Sequence, residues 1–173
     1  MRVEERGGEL FVTGFDGIQA YKIAVRIERD GIAFYEALTG KLRDPGARAA
    51  ALALAGQERE HLAYFEAELA ALRAGREDGF EEDDLASFID YGLFAPYRGL
   101  ADAVETPGKA LRLGLLVEER SAQFYEACRS AADAADARRE LGRIAAEERR
   151  HAETLRGMLA GARRGRAPEM EGR

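Results

Sequence analysis

"LAGQEREHLAYFEAEL", residues Leu54 to Leu69, carries one of only two histidines in the 173-residue chain. His61 lies three positions after Glu58, and residues three apart on a helix share a face. That face is apolar: helical stepping from the pair picks out Ala51, Leu54 and Phe65. Arg59 and Glu60 point the other way by the same phase. The run reads as a helix that turns one carboxylate and one imidazole inward and its remaining charges toward water.

The second histidine repeats the arrangement. Glu148 and His151, in "AAEERRHAETL", lie 90 residues beyond Glu58 and His61. The same offset relates "RIERDGIAFYEAL" (Arg26 to Leu38) to "LVEERSAQFYEAC" (Leu116 to Cys128), pairing Glu28 with Glu118. Four apolar stripes follow, each broken in its middle by the repeated polar residues: Ile18, Tyr21, Val25, Glu28, Ile32, Tyr35; Ala51, Leu54, Glu58, His61, Phe65; Leu111, Leu115, Glu118, Ala122, Tyr125; and Leu141, Ile144, Glu148, His151, Leu155. The period is that of an α-helix throughout, and the composition, rich in alanine, leucine, glutamate and arginine, is that of packed helices. The fold is therefore expected to be all-α, a four-helix bundle of two repeated hairpins in a single domain.

Punctuation sets the boundaries. Asp16 caps a first helix ending by Gly40, and Asp44-Pro45 opens a second running to about Gly75, giving a hairpin over about 16–75. Thr106-Pro107 opens the third, and Asp133 or Asp136 caps a fourth ending near Gly161, giving a hairpin over about 106–161 and a disordered tail over about 162–173. The intervening 77–105 is far longer than a hairpin turn needs, so it reads as a crossover along the height of the bundle, leaving helix 3 parallel to helix 2. Its apolar residues Phe88, Tyr91, Leu93, Phe94, Tyr97 and Leu100 are suited to covering the bundle or to a dimer contact. A homodimer, with hairpins exchanged between chains as a variant, is the expected assembly.

Other classes are disfavoured. A net charge of −6 argues against a general nucleic-acid binder, which would need a basic patch to neutralise phosphates. No apolar run approaches the roughly 18–20 residues of a membrane span, and the charged, glycine-rich start is unlike a signal peptide, so a cytoplasmic protein is expected. The single cysteine, Cys128, builds neither a disulfide framework nor a cysteine metal knuckle and reads as a packing residue.

Four carboxylates converging inside a bundle need compensating positive charge, because each buried ion costs several kcal/mol. Two divalent cations match four carboxylates, and the donor set suits iron or manganese, with zinc admissible. Glu28, Glu58, His61, Glu118, Glu148 and His151 are therefore the candidate ligands of a dinuclear centre. Tyr35 and Tyr125 lie two turns beyond Glu28 and Glu118, where a phenol either bonds a ligating carboxylate or simply packs. Glu60, Glu119, Glu147 and Glu153 face outward by phase. Gly31 and Ser121, three residues after Glu28 and Glu118, either leave room for a substrate or permit close helix packing.

With E…FYE and E-x-x-H each occurring twice, the sequence resembles the rubrerythrin-like branch of the ferritin-like di-iron carboxylate proteins over about Ile18 to Leu159. The resemblance implies a ferritin-like bundle binding two iron ions, with Glu28 and Glu118 as terminal ligands, Glu58 and Glu148 as bridges, and His61 and His151 as one nitrogen ligand each. It implies a di-iron oxidoreductase that reduces hydrogen peroxide or O2, of peroxidase or ferroxidase type; the alternative is iron binding, storage or sensing without turnover. Ser121 stands where that family carries a further glutamate, so the ligand shuffling linked to peroxide reduction there is not implied here. The rubredoxin-like four-cysteine domain is also missing, which makes a separate electron-donor protein the expected partner.

Overall fold

A computed structural model describes residues 1–74 and 106–164 of the chain. Four long helices dominate: α1 (Gly17–Lys41), α2 (Pro45–Arg73), α3 (Pro107–Ala131) and α4 (Ala135–Arg164). None of the described helices is long and apolar enough to cross a membrane. The expected crossover over 77–105 and most of the expected tail lie outside the described residues.

Local chemistry explains where the helices begin. Asp16 accepts from the Gln19 amide at 3.1 Å, Asp44 from the Ala47 amide at 2.7 Å, and Thr106 from the Lys109 amide at 3.3 Å. Each cap satisfies a backbone donor that the first turn leaves without an intrahelical partner. Pro45 and Pro107 follow their caps directly, where a missing N–H costs nothing. The start of α4 departs from the expectation. The Arg138 amide bonds to the Ala134 carbonyl at 3.0 Å, which puts Ala134, and neither Asp133 nor Asp136, at the cap. Asp136 instead places its charge in the first turn, at the positive end of the helix dipole. The Arg138 guanidinium donates to the Ala132 and Asp133 carbonyls, at 2.9 and 2.5 Å, and so ties down the loop.

The ends shift slightly as well. Gly40 lies inside α1 and Gly161 inside α4. Neither takes the left-handed conformation that lets glycine stop a helix, which is found at Gly7, Gly8 and Gly14.

Within each hairpin the helices pack side by side along their length, α1 on α2 and α3 on α4, and across the hairpins α1 meets α3 and α2 meets α4. Glu28 on α1 bonds Tyr125 on α3, while Tyr35 bonds Glu118. Residue numbers thus rise along one helix as they fall along the other, so α1 and α3 are antiparallel and α3 runs parallel to α2, as the length of the connection predicts. The core between them holds Phe34, Leu38, Leu54, Phe65, Leu111, Phe124, Leu141, Ile144 and Leu155. Ile18, Ile32 and Leu115, although on the predicted stripes, are only half-buried.

Helical periodicity gives no hint of the N-terminal element. Strands β1 (Arg2–Arg6) and β2 (Glu9–Thr13) pair antiparallel, Val3 opposite Val12 and Glu5 opposite Leu10. The two-residue link Gly7-Gly8 has φ of 62° and 89°, the left-handed pair that a tight hairpin turn requires. Leu10 and Val12 bury themselves on the bundle, and Glu5 pairs with Arg120 of α3 at 2.5 Å. The hairpin therefore covers the outer side of α3, a small sheet added to an otherwise all-α fold.

Gly114 lets α3 come close to its neighbours. A Cβ there would stand 2.7 Å from two ring atoms of Phe34 and 3.2 Å from Leu155 Cδ1, and both side chains are buried. Gly114→Ala gains about 1 kcal/mol of helix propensity, but overpacking costs about 1–3 kcal/mol, so the steric term wins. The variant is expected to be less stable by up to about 2 kcal/mol in chemical denaturation; equal or greater stability would show that α1 and α3 are not held this close.

Candidate metal centre

All six candidate ligands meet midway along the bundle, and each is at most 3% exposed. Their atoms form two overlapping groups: Glu28, Glu58, His61 and Glu148, and Glu58, Glu118, Glu148 and His151. Within each group the ligand atoms lie within 4.8 Å of one another. Glu58 and Glu148 belong to both groups, the placement that bridging carboxylates require, while Glu28 and Glu118 each serve one.

The imidazoles show which nitrogen faces inward. His61 Nδ1 lies 3.1 Å from Glu148 Oε1, 3.2 Å from Glu58 Oε2 and 3.6 Å from Glu28 Oε2. His151 Nδ1 lies 3.0 Å from Glu58 Oε1 and 3.6 Å from Glu118 Oε2. The rings face each other across the cluster, with centroids 5.8 Å apart and planes 21° apart. His151 Nδ1 and Glu148 Oε1, fully buried and close to their neighbours, nonetheless have no hydrogen-bond partner in line. Unpartnered polar atoms in a dry interior are costly. Aimed into the middle of a carboxylate cluster, they are the donor atoms a divalent cation would satisfy.

The outer atoms are held in turn. His61 Nε2 donates to Glu147 Oε2 at 2.7 Å, and His151 Nε2 donates to Gln57 Oε1 at 2.8 Å. Tyr125 donates to Glu28 and Tyr35 to Glu118, so each terminal carboxylate is bonded by the phenol of the opposite hairpin. The tyrosines thus follow the carboxylate-bonding expectation rather than plain packing. Glu147, expected to face outward, is instead only 23% exposed and reaches back to a histidine of the cluster. Glu60 and Glu153 do face solvent, and Glu119, partly exposed, pairs with Arg156. A Cβ at Gly31 would meet Glu58 Cγ at 3.5 Å, an ordinary contact, so helix packing does not demand glycine there. Ser121 is buried on α3.

Left to protons for their positive charge, these groups shift far from their usual ranges. Burial, then the Glu58 charge, pushes Glu28 up to about 8. Burial and the charges of Glu58 and Glu118 push Glu148 well up too. Burial by itself would depress the histidines, but nearby carboxylates outweigh it: Glu148 and Glu28 raise His61, and Glu118 and Glu58 carry His151 up to about 9. Glu58 goes the other way, since its contacts with His151 and His61 overcome burial and hold it at about 2.

Groups with raised values hold protons in the folded chain that the unfolded chain has released. Their contribution is complete below the unfolded values and is lost as pH rises through the folded ones. The cluster should therefore stabilise metal-free protein most near pH ~5, with the contribution declining toward about 9. The Tm of metal-free protein is expected to fall over that interval, and divalent metal should abolish the fall while releasing protons. A metal-free Tm that is flat or rises with pH would contradict this electrostatic account.

The family model for Rubrerythrin matches residues 21–159. Searches of curated proteins and of solved structures give no match. The matched span takes in every one of the six buried glutamates and histidines of the cluster, and most of each of the four helices that carry them. The chain belongs to the rubrerythrin family.

Proposed function

We propose that the chain is a non-haem di-iron oxidoreductase that reduces hydrogen peroxide or O2 at a carboxylate-bridged pair of iron ions. The observation that carries this reading is the sharing of Glu58 and Glu148 between two buried ligand groups, each completed by one histidine and one further glutamate. Four carboxylates balance two divalent ions, and carboxylate with imidazole suits iron or manganese. Bound as iron(II), the pair would supply one electron per ion to the oxidant.

The chain's own residues hold, orient and insulate. Glu28 with His61, and Glu118 with His151, would each hold one ion, with Glu58 and Glu148 between. Tyr125 and Tyr35 orient the terminal carboxylates. Burial, then the charge of Glu118, raises Tyr35 well above the usual phenol range, so its proton stays in place as a fixed donor. Leu54, Phe65, Ile144 and Leu155 line the stripes around the cluster and exclude bulk water. Ser121 offers a hydroxyl and no carboxylate, so ligand exchange through a further glutamate forms no part of this proposal. Re-reduction would draw on a separate donor protein, and we place the chain in the cytoplasm as a homodimer.

Protein produced with iron should contain two metal ions per chain, and His61→Ala should lose half or more; unchanged stoichiometry would refute the ligand assignment. Reduced protein mixed anaerobically with peroxide in a stopped-flow device should oxidise faster than with O2 and keep its iron. Equally slow oxidation by both, with iron released, would favour storage over turnover. Tyr35→Phe should slow the peroxide reaction by ~10–100-fold while the metal content stays near that of the parent.

A further inference from the structure

We propose that the two halves of the cluster are inequivalent, with Glu147 and Gln57 as the positioning residues that make the half built on Glu28 and His61 the stronger metal-binding half. The proposal rests on the two-metal reading above and goes beyond it. The inner ligands give no reason for a difference: each half has one glutamate and one histidine of its own, and both share Glu58 and Glu148. Each terminal carboxylate is bonded by a tyrosine.

The halves differ one bond further out. Gln57 and Glu147 are matched by the repeat, each immediately preceding a bridging glutamate. Their hydrogen bonds cross the bundle, His61 Nε2 to Glu147 at 2.7 Å and His151 Nε2 to Gln57 at 2.8 Å. The geometry is nearly the same, but the acceptor is a carboxylate in one case and a neutral amide in the other. Glu147 is itself anchored by Arg143 at 2.8 Å and Arg150 at 3.3 Å. A charge-assisted bond is roughly twice as strong as a neutral one, and a carboxylate on the outer nitrogen makes the inner one a better donor. His61 Nδ1 should therefore bind a divalent ion more tightly than His151 Nδ1.

Calorimetric titration of metal-free protein with cobalt(II) tests this through the ratio of the two stepwise binding constants. Repulsion between the ions spreads the two constants in every variant, so the informative quantity is how the ratio changes. An outer carboxylate of this kind is worth ~10–100-fold in affinity. Glu147→Gln should therefore shrink the ratio by roughly 3- to 25-fold, and Gln57→Glu should shrink it likewise by making both halves carboxylate-backed. The double variant Q57E/E147Q should restore the parental ratio, which no general loosening of the bundle would do. Two ions bound with a ratio that neither single variant changes, or that the double variant leaves small, would overturn the inequivalence alone. Failure to bind cobalt would overturn the two-metal reading and this inference with it.

Discussion

Charge compensation at the centre of the bundle is the constraint on which the rest depends. Four glutamates, each at most 3% exposed, converge with two histidines between layers of leucine, isoleucine and phenylalanine. Unpaired, they would cost more than a domain's net stability of about 5–15 kcal/mol. The histidines and raised carboxylates cover part of the deficit with protons, and two divalent cations would cover it fully. The outer residues answer the same problem: tyrosines fix the terminal carboxylates, while Glu147 and Gln57 fix the imidazoles so that Nδ1 points inward.

This constraint is also why so much of the cluster is legible in the sequence. A charged side chain on an apolar stripe is conspicuous, and Glu58 with His61 recurs 90 residues on as Glu148 with His151. Helical phase then separates inward from outward residues. Phase fails where contact depends on a neighbouring helix. Glu147 lies off the stripe of α4 and reads as a surface residue, yet it reaches His61 across the bundle. Within one helix nothing signals that bond; only the repeat, by matching Glu147 to Gln57, marks the pair as equivalent.

Two other features lie outside what helical phase carries. Asp133 and Asp136 are good capping residues, but the second hairpin turn copies the spacing of the first, and the position of Asp44 falls on Ala134. Arg138 supplies part of the bonding from outside the helix. The N-terminal residues, charged and glycine-rich, carry no helical period. The signal for a hairpin is the Gly7-Gly8 pair ahead of the apolar run Leu10-Phe11-Val12, of which Leu10 and Val12 bury themselves on the bundle.

The repeat has one more consequence. Each hairpin carries half of the candidate ligands, so two identical hairpins would assemble the same cluster, but every substitution would then appear on both sides at once. Joining the halves in one chain lifts that symmetry. Gly31 corresponds to Ser121, Asp44 to Ala134, and Gln57 to Glu147. A change that would be ruinous if made twice becomes an adjustment when made once, and the chain is free to tune one side of its centre without touching the other.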